Sequence, residues 1–118
     1  MDDVYEIGLL LDFYGQMLTP RQQEIMDMHY NNDLSLGEIA ENLEISRQGV
    51  FDNIKRGKAL LNGFEKKLGL THKFSKQKKK AQEILEYLKS INKNNLKNED
   101  HDKLSKIEEG INDIINSI

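Results

Sequence analysis

The apolar residues of this chain recur at helical intervals over most of its length. Near the N-terminus, intervals of three, four, three and four residues separate Val4, Ile7, Leu11, Tyr14 and Leu18. Near the C-terminus, the same intervals separate Leu104, Ile107, Ile111, Ile114 and Ile118. Such intervals place each set on one face of an α-helix, which turns once in about 3.6 residues. The pattern therefore predicts an amphipathic helix at each end of the chain, the last one from about Asp102.

Capping residues divide the intervening chain into four further helices. The predicted starts are Thr19 followed by Pro20, a capping box of Ser35 and Glu38, Ser46, and Ser75. Serine and threonine side chains accept a free backbone N–H at a helix start, and proline suits the first helical position. The predicted helices cover about 20–30, 36–42, 46–68 and 75–91. Gly69 ends the third of these, because glycine is the usual residue just past a helix C-terminus.

In the predicted core, each helix contributes the apolar residues of one face. The second and third helices contribute Ile25, Met26, Met28, Leu36, Ile39, Ala40 and Leu43. The fourth and fifth contribute Val50, Ile54, Leu61, Phe64, Leu68, Ala81, Ile84, Leu88 and Ile91. A single proline and long stretches of Leu, Ile, Glu, Lys and Gln favour helix over sheet. The sequence predicts an all-α chain of about six helices, with one domain over 1–70 and a helical extension over 71–118.

Residues 35–62 have the features of a helix-turn-helix without a wing, in which a short helix and a recognition helix cross steeply after a tight turn. Ala40 is small where the two helices would cross. Leu43 and Ile45 would anchor the turn in the core, and Val50 and Ile54 would hold the second helix. The same spacings would suit a plain helical bundle whose charges only face solvent, but the caps, the small crossing residue and the turn spacing agree with one another.

The start and the outward face of the recognition helix supply candidate contacts to nucleic acid. These candidates are Ser46, Arg47, Gln48, Phe51, Lys55, Arg56 and Lys58. Arg47 and Gln48 lie at the end that usually reaches base edges, where arginine can read guanine and glutamine can read adenine. The basic side chains further along the helix, Lys55, Arg56 and Lys58, suit contacts to phosphates. Against DNA reading, Asp52 would repel a phosphate, Gly49 costs a helix about 1 kcal/mol relative to alanine, and Glu44 occupies a turn position where glycine is common.

Charge is segregated along the 118 residues although the net charge is only −3. Residues 1–45 hold ten acids and one base, which gives −9. Residues 46–80 hold eleven bases and two acids, which gives +9, and residues 81–118 hold five bases and eight acids, which gives −3. The basic segment contains a second cluster, Lys73, Lys76, Lys78, Lys79 and Lys80. Such a cluster can contact RNA or phosphate, and it can equally be a solvated helix start.

Several classes of function lack sequence support. The chain has no cysteine, which excludes disulfides and thiolate metal sites. His29, His72 and His101 are far apart, without partners at the spacing of metal ligands. No glycine-rich phosphate loop and no pair of acids in an apolar setting is present. We therefore expect no catalysis, no metal site and no cofactor. The N-terminal segment is acidic and its apolar run is too short for a signal peptide, so we expect a cytoplasmic protein.

A longer stretch, "LTPRQQEIMDMHYNNDLSLGEIAENLEISRQGVFDNIKRGKALL", resembles the fourth region of bacterial sigma factors, which grips promoter DNA. The shared pattern is a T-x-R-Q start, an L-S-x-x-E-I-A helix and an I-S-x-x-x-V recognition helix. The whole chain more closely resembles a family of small bacterial proteins, YlxM-like or UPF0122-type, whose genes lie beside those of signal recognition particle components. The segment "ISRQGVFDNIKR", the length and the acidic N-terminal helix carry this resemblance. It implies a regulator or a signal recognition particle accessory that acts through Arg47, Gln48, Lys55 and Arg56.

Three functions stay open at this point. The first is a homodimeric regulator that binds DNA through 46–58, with two recognition helices about 34 Å apart in successive major grooves. The apolar stripes of the terminal helices would serve its dimer interface or the core. The second is an accessory that binds signal recognition particle RNA through 73–80, or a protein component through Phe51 and Asp52. The third is a pure protein-interaction module that uses the acidic N-terminal segment.

Overall fold

The computed structural model describes residues 4–118, and each regular element in that range is helical. The helices are α1 (Val4–Tyr14), α2 (Pro20–Tyr30), α3 (Leu36–Leu43), α4 (Arg47–Leu68), α5 (Leu70–Ser90) and α6 (Asn98–Asn116), with a 3-10 turn at Gly15–Met17. The prediction of an all-α fold with about six helices is confirmed. The chain divides into two compact units, Met1–Thr71 and His72–Ile118.

Side-chain caps set the starts of the three helices that follow α1. The Thr19 hydroxyl accepts the N–H of Gln22 at 3.2 Å, and the Gln22 side chain accepts the N–H of Thr19 at 3.2 Å. Ser35 and Glu38 exchange the same pair of bonds at 3.1 and 3.0 Å. These reciprocal bonds are capping boxes. The Ser46 hydroxyl accepts the N–H three residues along α4 at 2.9 Å, so the predicted cap is confirmed.

The core of the first unit combines one face from each of α1, α2, α3 and α4. Its fully buried large side chains are Tyr14, Ile25, Met26, Ile39, Val50 and Leu61. Gly57 of α4 is buried too, since a Cβ at that position would lie 2.9 Å from the sulfur of Met26. Because Gly57 has no side chain, α2 and α4 can approach closely. The spacing of apolar residues in the sequence did not predict this close approach.

The predicted inward faces are wrong at several positions. Leu68 is 53% exposed in the last turn of α4, because this 22-residue helix is longer than the helices of 8–11 residues beside it. Ile84 and Ile91 of the predicted core are likewise exposed. Val4, Ile107 and Ile114 are exposed too, on the stripes that the sequence left open between core and dimer interface. Helical spacing shows which residues share a face, but it does not show whether another element covers that face.

The predicted start of α5 at Ser75 is also wrong, because α5 begins at Leu70. Gly69 ends α4 in the left-handed conformation, with a φ of 60°. The Leu70 N–H then donates to the Tyr14 hydroxyl at 3.0 Å, and the Thr71 N–H donates to the Glu65 carboxylate at 3.1 Å. The Tyr14 hydroxyl, from a residue remote in sequence, and the Glu65 carboxylate from the end of α4 thus satisfy the first free N–H groups of α5, so no capping residue directly before Leu70 is needed.

The bounds of two other helices differ from the prediction. α1 ends at Tyr14, and Leu18 reaches the core from an extended conformation after the 3-10 turn. α6 begins at Asn98 rather than at about Asp102. Both differences lie at helix ends, where the apolar period gives the least information.

Candidate nucleic-acid interface

α3 and α4 are joined by a tight turn that closes a Schellman motif. The Ile45 N–H donates to the Ala40 carbonyl at 3.1 Å, and the Glu44 N–H donates to the Glu41 carbonyl at 3.4 Å. Glu44 adopts the left-handed conformation, with a φ of 55°. That conformation at a helix end is usually left to glycine. Ile45 then packs against the core, and Ser46 caps α4, so this turn holds the first residues of α4 at the surface.

The candidate contacts occupy the cap and the solvent-facing side of α4. One row along the helix contains Arg47, Phe51, Lys55 and Lys58, and the row beside it contains Gln48, Asp52 and Arg56. Within each row the residues are three or four apart, so their side chains are neighbours. Ser46 and the candidates of both rows are exposed apart from Lys58, which is half-buried. The fold therefore brings all seven candidate residues to one helical surface.

Arg47 lies against the first helix of the motif. A Cβ on Gly37 would come within 2.6 Å of one terminal nitrogen of the Arg47 guanidinium and within 3.1 Å of its central carbon. The guanidinium occupies this place because Gly37 has no side chain. Sequence reasoning missed Gly37. The only signal for it is a glycine in the first turn of a helix, where no left-handed backbone requires one.

Asp52, which would repel a phosphate, has a partner on its own helix. The Gln48 Nε2 donates to the Asp52 Oδ1 at 3.0 Å, and the Arg56 Nε donates to the Asp52 backbone carbonyl at 3.4 Å. A glutamine and an aspartate four residues apart on a helix form a recognised stabilising pair. The acid that the sequence set against DNA reading is thus joined to one of the candidate reading residues.

Gly49 lies in the first turn of α4, where its N–H is the donor to the Ser46 hydroxyl. A Cβ on Gly49 would lie 3.2 Å from that hydroxyl oxygen. The Asn53 side chain also donates to the Gly49 carbonyl at 2.8 Å. Two side chains, Ser46 and Asn53, therefore hold the backbone of Gly49 at the start of α4.

The second lysine cluster belongs to the second compact unit. It lies within α5 rather than at a helix start, so the interpretation as a solvated start at Ser75 is wrong. Lys73, Lys76, Lys79 and Lys80 are exposed, and Lys78 is half-buried. The Lys80 Nζ lies 4.0 Å from a carboxylate oxygen of Glu83. An exposed pair of this kind stabilises a helix only slightly and leaves the surface basic.

The remaining polar features are structural. The His29 Nδ1 donates to the Leu34 carbonyl at 2.8 Å, and its ring packs edge-on against Tyr30. The hydrogen bonds from Ser35 lower the pKa of Glu38, which fits its role in the capping box.

Within residues 4–118, no group of three or more His, Cys, Asp or Glu side chains is placed to hold a metal ion. No helix in that range is long and apolar enough to cross a membrane.

Comparison with known proteins identifies relatives of this chain. A family model described as "Putative helix-turn-helix protein, YlxM / p13 like" matches residues 1–113. A UPF0122 protein of Acetivibrio thermocellus is 60% identical over 117 residues, which are 99% of this chain and 100% of that protein. UPF0122 proteins of Desulforamulus reducens and of a Thermoanaerobacter species are 46% and 51% identical over 75% and 78% of this chain. Those two matches cover 75% and 73% of the relatives.

Proposed function

Because the chain belongs to the UPF0122 family of YlxM- and p13-like helix-turn-helix proteins, we propose that it binds duplex DNA with α4 in the major groove and acts as a non-enzymatic regulator. The observation that carries this proposal is the position of Arg47 and Gln48. Both are exposed in the first turn of α4, directly after the Schellman turn. In helix-turn-helix proteins, these positions of the second helix contact base edges.

The rest of α4 supports the proposal through charge. Lys55 and Arg56 are exposed about two turns after the reading residues, where a groove-bound helix approaches the phosphate backbone. Phe51 is 48% exposed between them and the helix start. Its ring suits the methyl group of a thymine. Phosphate contacts supply affinity for any sequence, and base contacts supply preference.

Dimerisation is a further part of the proposed function. α6 contains no buried residue, although its apolar residues follow intervals of three and four. Ile107 and Ile114 are 49% and 52% exposed on this stripe. A second copy of α6 would cover such a stripe in the manner of a coiled coil. The dimer would offer one recognition helix to each of two half-sites.

A second candidate function is that of an accessory to the signal recognition particle in the cytoplasm, as the family resemblance implies. The exposed lysines of 73–80 favour it, because a basic helix surface suits the phosphates of folded RNA. In this alternative, α5 rather than the start of α4 contacts the ligand. The two functions therefore place the important basic residues on different helices.

The proposal is tested by fluorescence anisotropy of labelled random duplex DNA and of signal recognition particle RNA over a salt series. We expect Arg47→Ala to relax sequence preference, because it removes a base contact. We expect Lys55→Ala to weaken binding to all sequences and to flatten the slope of log K against log salt by about 1. Lys106→Ala, which changes an exposed lysine on α6, is the control and should leave both quantities unchanged.

Each alternative result points to a different function. Equal losses of preference and affinity from Arg47→Ala and Lys55→Ala would contradict the proposed division between reading and phosphate contacts. Selective RNA binding that is lost when Lys78, Lys79 and Lys80 are changed to glutamine, with Arg47→Ala silent, would establish the accessory role. No binding to either nucleic acid at low salt would leave the helix-turn-helix as a protein-interaction module.

A further inference from the structure

We infer that Asp52 is a positioning residue that fixes the side-chain amide of Gln48, so that Gln48 prefers adenine to guanine. This inference rests on the proposed binding of duplex DNA and adds to it a preferred base. The Gln48 Nε2 lies 3.0 Å from the Asp52 Oδ1, and the two residues are one turn apart on the solvent-facing side of α4.

The chemistry of the pair determines which way the amide faces. An ionised carboxylate only accepts hydrogen bonds, whereas a glutamine amide has a donor end and an acceptor end. The nitrogen of Gln48 must therefore face Asp52, because the opposite orientation would set two acceptor oxygens against each other. A lone exposed glutamine would have no such preference and would turn either end towards a base.

The fixed amide presents a definite pattern to the groove. The bond to Asp52 uses one of the two hydrogens of Nε2, so the other hydrogen and Oε1 remain for a base. Gln48 thus offers one donor and one acceptor side by side, which matches the N7 acceptor and the N6 amino group of adenine. Guanine offers two acceptors, N7 and O6, so the Oε1 of Gln48 would oppose O6. To contact guanine well, Gln48 would have to give up its bond to Asp52.

The hydrogen bond between Gln48 and Asp52 gives a reason for an acidic residue on a surface that would approach phosphates. Asp52 lowers the general attraction of α4 for DNA, since its charge opposes those of Lys55 and Arg56. However, Asp52 also holds the amide of Gln48 in one orientation before DNA binds. Arg47 is held independently, by its place over Gly37. The two candidate reading residues are therefore positioned by different contacts, and the role of Asp52 can be tested apart from Arg47.

The test compares the wild type with Asp52→Asn, Asp52→Glu and, as a matched charge control, Glu41→Gln on the exposed surface of α3. Selection from a randomised duplex pool identifies the position that loses its preference in Gln48→Ala. Anisotropy competition between duplexes with A·T and G·C at that position then measures the preference. We expect about a tenfold preference for adenine in the wild type, from one bidentate contact.

Asp52→Asn should reduce this preference to about twofold or less, because an asparagine can donate as well as accept and so no longer orients Gln48. It should also tighten binding to every duplex. Asp52→Glu should keep most of the preference, since glutamate still accepts from residue 48 at the same spacing. Glu41→Gln should leave the preference unchanged. In the free protein, the side-chain amide resonances of Gln48 should move in Asp52→Asn and stay in place in Glu41→Gln.

The failures are distinguishable. If the wild type binds no duplex at low salt, both the proposed function and this inference are overturned. If duplex binding and its salt dependence follow the proposal but Asp52→Asn keeps the full adenine preference, only the inference is overturned. An equal loss of preference in Asp52→Asn and Glu41→Gln would reduce the effect to net charge and overturn it as well.

Discussion

Glu44 is the residue at which the helix-turn-helix stores backbone strain. Its φ of 55° lies in the left-handed region. A side chain in that region costs about 1–2 kcal/mol. The two Schellman hydrogen bonds of the turn and the packing of Ile45 hold the residue there. The protein thus has a charged side chain at a position where glycine would be less strained.

We expect Glu44→Gly to raise the free energy of unfolding by up to about 1 kcal/mol, because glycine adopts the left-handed conformation without a steric penalty. Urea denaturation followed by circular dichroism measures the change. Glu41→Gly is the matched control, since residue 41 has ordinary helical geometry in α3. Glycine there should lower stability by about 1 kcal/mol. A loss of stability in both variants would show that the Glu44 side chain itself supports the turn.

Tyr14 is the second residue with an effect beyond its own helix. Its buried hydroxyl donates to Glu65 at 2.6 Å and accepts the N–H of Leu70 at 3.0 Å. Burial, reinforced by the hydrogen bond to Glu65, raises the pKa of Tyr14 above its ordinary value. One side chain of α1 therefore satisfies polar groups at the end of α4 and the start of α5.

We expect Tyr14→Phe to lower the free energy of unfolding by about 1–3 kcal/mol at neutral pH, because Leu70 loses its acceptor in a partly buried place. The raised pKa means that the folded state favours the protonated tyrosine. Its contribution is fully present below pH about 10 and is lost as the pH rises further. Tyr14→Phe should weaken this alkaline loss of stability. Tyr87→Phe, at a residue that is 73% exposed, should change neither quantity.

At the scale of elements, the approach of α2 to α4 depends on one glycine. A Cβ on Gly57 would lie 2.9 Å from the sulfur and 3.1 Å from the Cγ of Met26, which is fully buried and has little room to move. Ala40 is likewise small and buried on the α3 side of the motif. Small residues thus set how closely α4 packs on the core.

We expect Gly57→Ala to lower the free energy of unfolding by about 1–3 kcal/mol, because overpacking outweighs the better helix propensity of alanine. Gly63→Ala is the control on the same helix, since among residues 4–118 the added Cβ would meet no atom within 4 Å beyond its chain neighbours and its own helix backbone. That change should raise the free energy of unfolding by about 0.8–1 kcal/mol. Urea denaturation of both variants measures the contrast. Equal gains would mean that Met26 moves aside without penalty.

At the scale of the whole molecule, the distribution of charge and of exposed apolar residues tells more about possible partners than the net charge does. The basic segment 46–80 has a charge of +9 in a chain whose net charge is −3. Local fields of this kind act on a polyanion at short range, within about 10 Å at 0.1 M salt. Ile107 and Ile114 of α6 add an exposed apolar surface, which the proposed dimer would cover.

We expect sedimentation equilibrium to give twice the chain mass of 13.7 kDa. Changing Ile107 and Ile114 together to asparagine should yield the monomer, because it removes the exposed centre of the stripe. Changing Lys106 and Asp113 together to asparagine, beside the stripe and without a change in net charge, should keep the dimer. A monomeric wild type over the micromolar range would contradict the proposed dimer.

Features that depend on neighbours along the chain could be predicted from the amino-acid sequence. The capping boxes at Thr19 and Ser35, the cap at Ser46 and the end of α4 at Gly69 follow from side chains within a few residues of one another. The three- and four-residue spacing of apolar residues likewise predicts the first four helices, because the helical turn is a local property. These features were enough to predict the helix-turn-helix and the face of α4 that carries the candidate contacts.

Features that join remote residues depend on how the helices pack, so they could not be predicted from the sequence. Tyr14 caps the start of α5 at Leu70, Gly57 fits against Met26, and Arg47 lies over Gly37. Helical spacing also could not show that Ile107 and Ile114 stay exposed. The reason is physical. A cap or a period is fixed by hydrogen bonds within one or two turns, whereas the burial of a face and the space beside a glycine depend on which element packs there.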